Sequence, residues 1–356
     1  MTVRGLVLAA LIGLASPSVA TAHPGSGIAV DRAGRVYFVT FDGIMRVENG
    51  RLSQFVKDDR IRVPHHLVID AQDNLYTVSD DDGRVWKVSP EGQLTEFHAR
   101  RPAAPQVGAW GDPFTLDRNG TIYFVLDGRN RILRFVGDSA QSYADTTFRF
   151  SRLHGASMAW GPDSALYVTD VSRVVRIAPD GSVSVVGSPP LAHAMGVAVD
   201  SASRIYVADY RAGAVLRIGP GGESRSFGAR RFVRPTGVAL GPDGSVYVLD
   251  GRIWKIQPDG NISLIACATA IPPWIEYGIV LFVPLLFALW IVQGRKSSMR
   301  DRILRIVITG IVMTPFYFAA RSGCSSLEVR YAVYALLIAA AAWSLTARRR
   351  APATTR

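Results

Sequence analysis

The sequence predicts an all-β six-bladed β-propeller followed by a three-helix transmembrane segment. One strand–turn–strand pattern recurs six times, and its copies are spaced as four-stranded blades are spaced. Before residue 274 apolar residues fall in short alternating stretches, the two-residue period of sheets. Beyond it they fall in runs long enough for lipid.

Taken in chain order, residues 1–22 read as a secretory signal peptide: Arg4, an apolar core from Leu6 to Leu14, then the small-x-small site Ala20-Thr21-Ala22. The core is too short to cross a bilayer. Cleavage after Ala22 leaves His23-Pro24 at the mature start and a propeller over 23–268.

The six copies read GIAVDRAGRVYFVT, LVIDAQDNLYTVS, FTLDRNGTIYFVL, MAWGPDSALYVTD, VAVDSASRIYVAD and VALGPDGSVYVLD. Their marker tyrosines, Tyr37, Tyr76, Tyr123, Tyr167, Tyr206 and Tyr247, stand 39 to 47 residues apart. Each copy runs on into a third strand such as RVWKV or RIWKI, and turns such as SPEG, APDG, GPGG and QPDG lead to a fourth. In those turns Pro presets φ and Gly takes the left-handed position. Six near-equal units without a polar capping unit predict a closed ring rather than a solenoid. Two longer insertions, His98–Ala109 and Gly137–Arg152, are expected on the face where chains enter the first strands.

Three apolar stretches follow, at 274–292, 303–320 and 331–347, each near the minimum length of a transmembrane helix, and a basic tail occupies 348–356. Arg295, Lys296, Arg300 and Arg302 lie between the first two spans, and Arg348, Arg349 and Arg350 follow the third. With the propeller exported, both clusters fall on the cytoplasmic side, as the positive-inside rule requires. Arg-rich, Lys-poor usage points to a GC-rich bacterial genome, and the expected location is the bacterial inner membrane, with the propeller periplasmic or extracellular and the C-terminus cytoplasmic. Cys267 and Cys324, the two cysteines, then face the same oxidising compartment, and an intramolecular disulfide is expected.

The formal charge of +11 invites a nucleic-acid reading. Eleven basic side chains stand against Glu276, Asp301 and Glu328 beyond residue 273, so the excess belongs to the membrane part and the propeller is near neutral. Nucleic acid is excluded as a partner.

First strands of a propeller line its axis, and ligands gather at the funnel where the chain enters them. Five of the six histidines precede first strands: His23, His65, His66, His154 and His193. The same upstream positions carry Trp110, Asp112, Met195 and Arg234, the candidate funnel or ligand residues, and Tyr210 is a further funnel aromatic. Neutral imidazoles are common ligands for zinc-like ions. Two readings of His65, His66, His154 and His193 stand: a metal site, or rings packed around channel water and strand ends. Asp80, Asp81 and Asp82 lack the alternating spacing of a calcium loop and read as a solvated turn. No G-x-S-x-G, Walker loop, H-E-x-x-H or C-x-x-C occurs, and no catalytic residue is assigned.

The repeats resemble NHL-repeat propellers, whose units read GIAVD-x-x-G-x-(I/V)-Y-V-(A/T)-D with an R-I-x-(R/K)-(I/V) strand after them; GVAVDSASRIYVADYRAGAVLRI is the nearest copy, and the similarity covers 25–267. SPEGQLTEF looks like propellers of the streptogramin-lyase and SMP-30-like superfamily. The resemblance implies a propeller but not one function, since such propellers include enzymes, receptors and scaffolds. Some propeller lyases of this kind hold a divalent metal with channel-mouth histidines, so the resemblance implies a divalent metal, zinc-like on the histidines; the calcium of lactonase propellers sits instead in a carboxylate and amide shell. The expected function is therefore a membrane-anchored module that binds a small molecule, peptide or protein through its funnel; the alternative is an exported metal-dependent lyase or lactonase.

Overall fold

The computed structural model describes residues 27–267 apart from 41–42, 62–63, 79–83, 99–112, 127–130, 137–138, 146–156 and 188–189. The segments expected as signal peptide, membrane spans and basic tail lie outside the described residues. Among the described residues no helix is long and apolar enough to cross a membrane. Residues 20–268 form one compact unit.

Among the described residues twenty-four strands make six antiparallel four-stranded sheets, each drawn from one stretch of chain. Blade 1 holds β1 (Ile28–Val30), β2 (Val36–Thr40), β3 (Gly43–Glu48) and β4 (Arg51–Val56). Blade 2 holds β5 (Val68–Ile69), β6 (Leu75–Val78), β7 (Val85–Val88) and β8 (Leu94–His98). Blade 3 holds β9 (Phe114–Leu116), β10 (Ile122–Leu126), β11 (Arg131–Val136) and β12 (Ser139–Asp145). Blade 4 holds β13 (Met158–Trp160), β14 (Leu166–Asp170), β15 (Arg173–Ile177) and β16 (Val183–Val185). Blade 5 holds β17 (Ala194–Val199), β18 (Ile205–Asp209), β19 (Ala214–Ile218) and β20 (Ser224–Phe227). Blade 6 holds β21 (Gly237–Leu240), β22 (Val246–Leu249), β23 (Arg252–Ile256) and β24 (Ile262–Cys267). One expected insertion is smaller than the sequence implied: SAQSYAD, inside Gly137–Arg152, pairs with β11 as the fourth strand of its blade. Its polar face conceals the strand period.

The ring closes. First strands touch their neighbours in cyclic order, β1 against β5 on one side and against β21 on the other. Six apolar clusters fill the six gaps between successive blades, and one of them joins Ile28, Val36 and Phe38 of blade 1 to Leu249 and Ile253 of blade 6. Each fully buried branched side chain in such a cluster contributes about 1.5–3 kcal/mol relative to exposure.

The marker tyrosines mark a buried hydrogen-bonded turn. In four blades the turn residue is Asp31, Asp70, Asp117 or Asp200, whose Oδ1 accepts backbone N–H bonds from the second and fourth residues after it. Its Oδ2 accepts the hydroxyl of the marker tyrosine, at 2.9 Å for Tyr76 on Asp70 and 3.2 Å for Tyr37 on Asp31. Blades 4 and 6 have Gly161 and Gly241 instead, with the carboxylate moved two residues on, to Asp163 and Asp243. Asp163 accepts from the Tyr167 hydroxyl at 3.2 Å. A Cβ on Gly161 would lie 2.5 Å from Asp163 Oδ1, and one on Gly241 2.8 Å from Asp243 Oδ1, so only glycine leaves room for the displaced carboxylate. Burial, and next the Asp31 charge, push the Tyr37 phenol up to about 12. Burial alone would raise the Asp163 carboxyl, yet bonds from Arg176 and the Ala165 amide bring it below its usual range.

Four blades carry a register shift between third and fourth strands, at Ile44/Met45, Val85/Trp86, Ile132/Leu133 and Ile253/Trp254. The extra residue is Phe55, Phe97, Tyr143 or Ile265. In three of these blades the bulge sets its aromatic ring edge-on to the marker tyrosine: Tyr37–Phe55 at 4.9 Å, Tyr76–Phe97 at 4.8 Å and Tyr123–Tyr143 at 4.9 Å between centroids. In the turns between third and fourth strands Gly92, Gly181, Gly222 and Gly260 sit at φ of 83 to 96°, the left-handed position expected for them.

Candidate functional site

Because the first strands form the hub, the residues that precede them collect at one end of the axis, with the turns between second and third strands. The hub is tight between blades 5 and 6. A Cβ on Gly196 would lie 2.7 Å from the Cα of Gly237 and 2.8 Å from the amide of Val238. Between blades 1 and 2, a Cβ on Gly27 would meet Val39 at 2.7 Å and the His65 carbonyl at 3.1 Å.

Shielded carboxylates stand at the ends of two second strands, Asp170 and Asp209, and just after a third, Asp250. The Asp209 Oδ2 accepts the Ala192 amide at 2.8 Å, and its Oδ1 accepts the amides of His193 at 2.9 Å and Ala212 at 3.1 Å. One buried carboxylate thus fixes both the approach to its own blade's first strand and the turn after its second strand. Asp250 repeats the device. It accepts from the Val233 amide at 2.9 Å and the Trp254 indole at 2.9 Å, and pairs with Arg252 at 2.8 Å. Asp170 pairs with Arg173 at 2.8 Å. The sequence singled out none of the three, although a shared signal was present: each stands three residues after its marker tyrosine, in YVTD, YVAD and YVLD.

On this frame the His193 ring, 5% exposed, lies 5.7 Å from the Tyr210 ring, and the Tyr210 amide donates to the His193 carbonyl at 2.9 Å. The exposed Arg234 guanidinium lies 5.7 Å from the Tyr210 ring centroid. Imidazole, phenol and guanidinium therefore form one stack from blade 5 to the chain entering blade 6. A guanidinium lying on an aromatic face keeps its N–H edge for planar anions, carboxylate or phosphate.

Other expected residues are placed differently. His65 and His66 are both buried ahead of β5, and the His66 carbonyl accepts the Thr77 hydroxyl at 2.8 Å. Met195 is fully buried and its carbonyl takes the Thr169 hydroxyl at 2.6 Å, which makes it part of the blade 4–blade 5 packing. His98 ends β8 opposite Val85, away from the first strands as expected. Trp110, Asp112, His154 and the Asp80–Asp82 turn lie outside the described residues. Among the described residues no group of three or more His, Cys, Asp or Glu side chains is set to hold a metal ion. The described imidazoles therefore do not make a metal centre by themselves. Cys267 is not a free thiol.

Hub, inter-blade cores and closure define a six-bladed β-propeller. No protein-family model and no curated protein matches the chain. Solved structures do. A catalytically inactive virginiamycin B lyase from Staphylococcus aureus, with quinupristin, is 18% identical with a TM-score of 0.50, over 70% of this chain and 85% of that one. A gluconolactonase from Xanthomonas campestris is 15% identical with a TM-score of 0.53, over 68% and 88%. An auxiliary nutrient binding protein from Bacteroides thetaiotaomicron is 12% identical with a TM-score of 0.51, over 67% and 69%. At such identities the likeness is one of fold.

Proposed function

We propose that the chain is an exported β-propeller, held to a bacterial cytoplasmic membrane by the stretches 274–292, 303–320 and 331–347, that binds a ligand or protein partner on its funnel face. The observation that carries the binding reading is the His193–Tyr210–Arg234 stack, set at the hub mouth by buried carboxylates and ending in an exposed guanidinium. A nutrient binding protein among the structures of similar fold supports it. The anchor rests on the apolar stretches and on the arginines between and after them. The disulfide reading pairs Cys267 with Cys324, the other cysteine of the chain.

The second reading, a metal-dependent lyase or lactonase, is favoured by the gathering of His65, His66 and His193 ahead of first strands, with His154 to complete the set, and by a lyase and a gluconolactonase among the structures of similar fold. Elemental analysis of the purified full chain separates the two. The binding reading expects no stoichiometric transition metal. A stoichiometric metal that disappears in the His154→Ala/His193→Ala double variant would replace it with the enzyme reading. Reporter fusions after residue 356 test the anchor, with a cytoplasmic signal expected.

A further inference from the structure

The turn 210–213 of blade 5 and the loop 228–236 that leads into blade 6 pack together at the funnel mouth. A Cβ on Gly213 would lie 2.5 Å from the Phe232 carbonyl and 3.4 Å from the Arg230 Cα, and the Phe232 amide donates to the Gly213 carbonyl at 3.3 Å. These two segments expose Arg211, Arg230, Arg231 and Arg234 and contain no acidic residue. Phe232 turns inward, 2% exposed, while Val233 beside it is 67% exposed, a bare apolar side chain in a segment with Arg230, Arg231 and Arg234; the Arg231 guanidinium lies over the Trp254 ring and donates to the Ile262 carbonyl at 3.2 Å. Of the nearby carboxylates Asp250 is already paired with Arg252, and Asp209, which holds the Ala192, His193 and Ala212 amides, offsets only one of the four charges, so the two segments keep a positive excess.

The chain leaves the propeller at the same place. Cys267, the last residue of β24, is the cross-strand partner of Arg252, and Arg252 is paired with the carboxylate that accepts the Val233 amide. Beyond Cys267 come residues 268–356 with their three apolar stretches. Cationic side chains around an exposed apolar one, beside the exit toward lipid-length segments, fit the headgroup layer of an anionic bilayer. We infer that this basic loop docks on anionic lipid headgroups, so that the funnel opens at the membrane surface and its partner is met there. The inference deepens the binding reading and rests on it.

Limited trypsin digestion of the full chain reads the contact directly, because the Arg230–Arg231 bonds are cleavable when the loop is open. Cleavage is compared in phosphatidylglycerol and phosphatidylcholine bilayers, and again in the Arg211→Gln/Arg234→Gln variant, which leaves the cleavage site intact. The expected result is protection in phosphatidylglycerol alone, weakened about fivefold for each arginine removed and lost at high salt. Equal cleavage in both lipids, or equal protection by soluble glycerol phosphate without a bilayer, would overturn the inference. Carbonate extraction of the same samples reports the anchor separately. A chain released by carbonate defeats the anchor yet still reports lipid docking through its cleavage pattern. Circular dichroism of the variant confirms that its sheet content is unchanged.

Discussion

Asp31 concentrates the logic of the repeat in one removable group. Its side chain is wholly shielded and accepts four bonds, from the amides of Ala33 and Arg35, the Arg35 guanidinium and the Tyr37 hydroxyl. Asp31→Ala deletes the acceptor and leaves two amides and a phenol to find water in a cramped turn, while Arg35, 25% exposed, reaches solvent more easily. Bonds to a charged acceptor contribute roughly 1.5–3 kcal/mol each. Discounting Arg35 and allowing local relaxation, we expect a loss of about 3–5 kcal/mol. In a domain of this size about 1 kcal/mol moves Tm by roughly 2–4 °C, so thermal unfolding should fall by about 6–20 °C. The control is Asp180→Ala, a solvent-facing turn carboxylate that accepts the Ser182 amide at 2.9 Å. Scanning calorimetry of the full chain in one detergent compares the two variants. If they melt together, within about 2 °C of the parent, burial does not give the repeat aspartate its weight and the argument fails.

Gly161→Ala puts a Cβ 2.5 Å from Asp163 Oδ1 and 2.6 Å from the Tyr167 ring, and should destabilise by about 1–3 kcal/mol in urea; Gly187→Ala, with nothing within 4 Å, should match the parent. Tyr37 has its folded pKa raised from 10.0 to about 12, so the stability it lends is complete below pH 10 and lost as pH climbs toward 12. The share of tyrosinate absorbance that Tyr37→Phe removes, one phenol of twelve, should therefore develop late, and its early appearance would contradict the buried turn. Alkylation without reductant should label neither Cys267 nor Cys324, and labelling of both would remove the disulfide.

Much of the wheel could be read from the chain because its period is written in buried residues. Tyr37, Tyr76, Tyr123, Tyr167, Tyr206 and Tyr247 recur because each phenol fills the same gap beside a turn carboxylate. What escaped the reading was carried by polar groups. Gly161 and Gly241 stand where the other copies have the turn aspartate, and the carboxylate's move to Asp163 and Asp243 is spelled out by a GPD triplet in both copies. β12 was hidden because Ser139, Gln141 and Ser142 are exposed, neighbours on opposite faces included, and the bulge at Tyr143 breaks the alternation that remains. At the site, spacing placed His193 and Arg234 on one rim, and the structure stacks both on Tyr210. It could not distinguish Met195, which is swallowed by packing, from a side chain at the mouth, because periodicity gives a position along a strand and not its depth.

Among the described residues no blade of this wheel borrows a strand from a distant stretch of chain. Blades 1 and 6 share a packed apolar cluster, Ile28 and Phe38 against Leu249 and Ile253, and each four-stranded ladder is completed locally. Cutting the polypeptide between any two blades and joining the old ends would leave each set of rungs whole. Such a molecule can be reordered by circular permutation, or lengthened by duplicating one unit, without unpicking a single sheet.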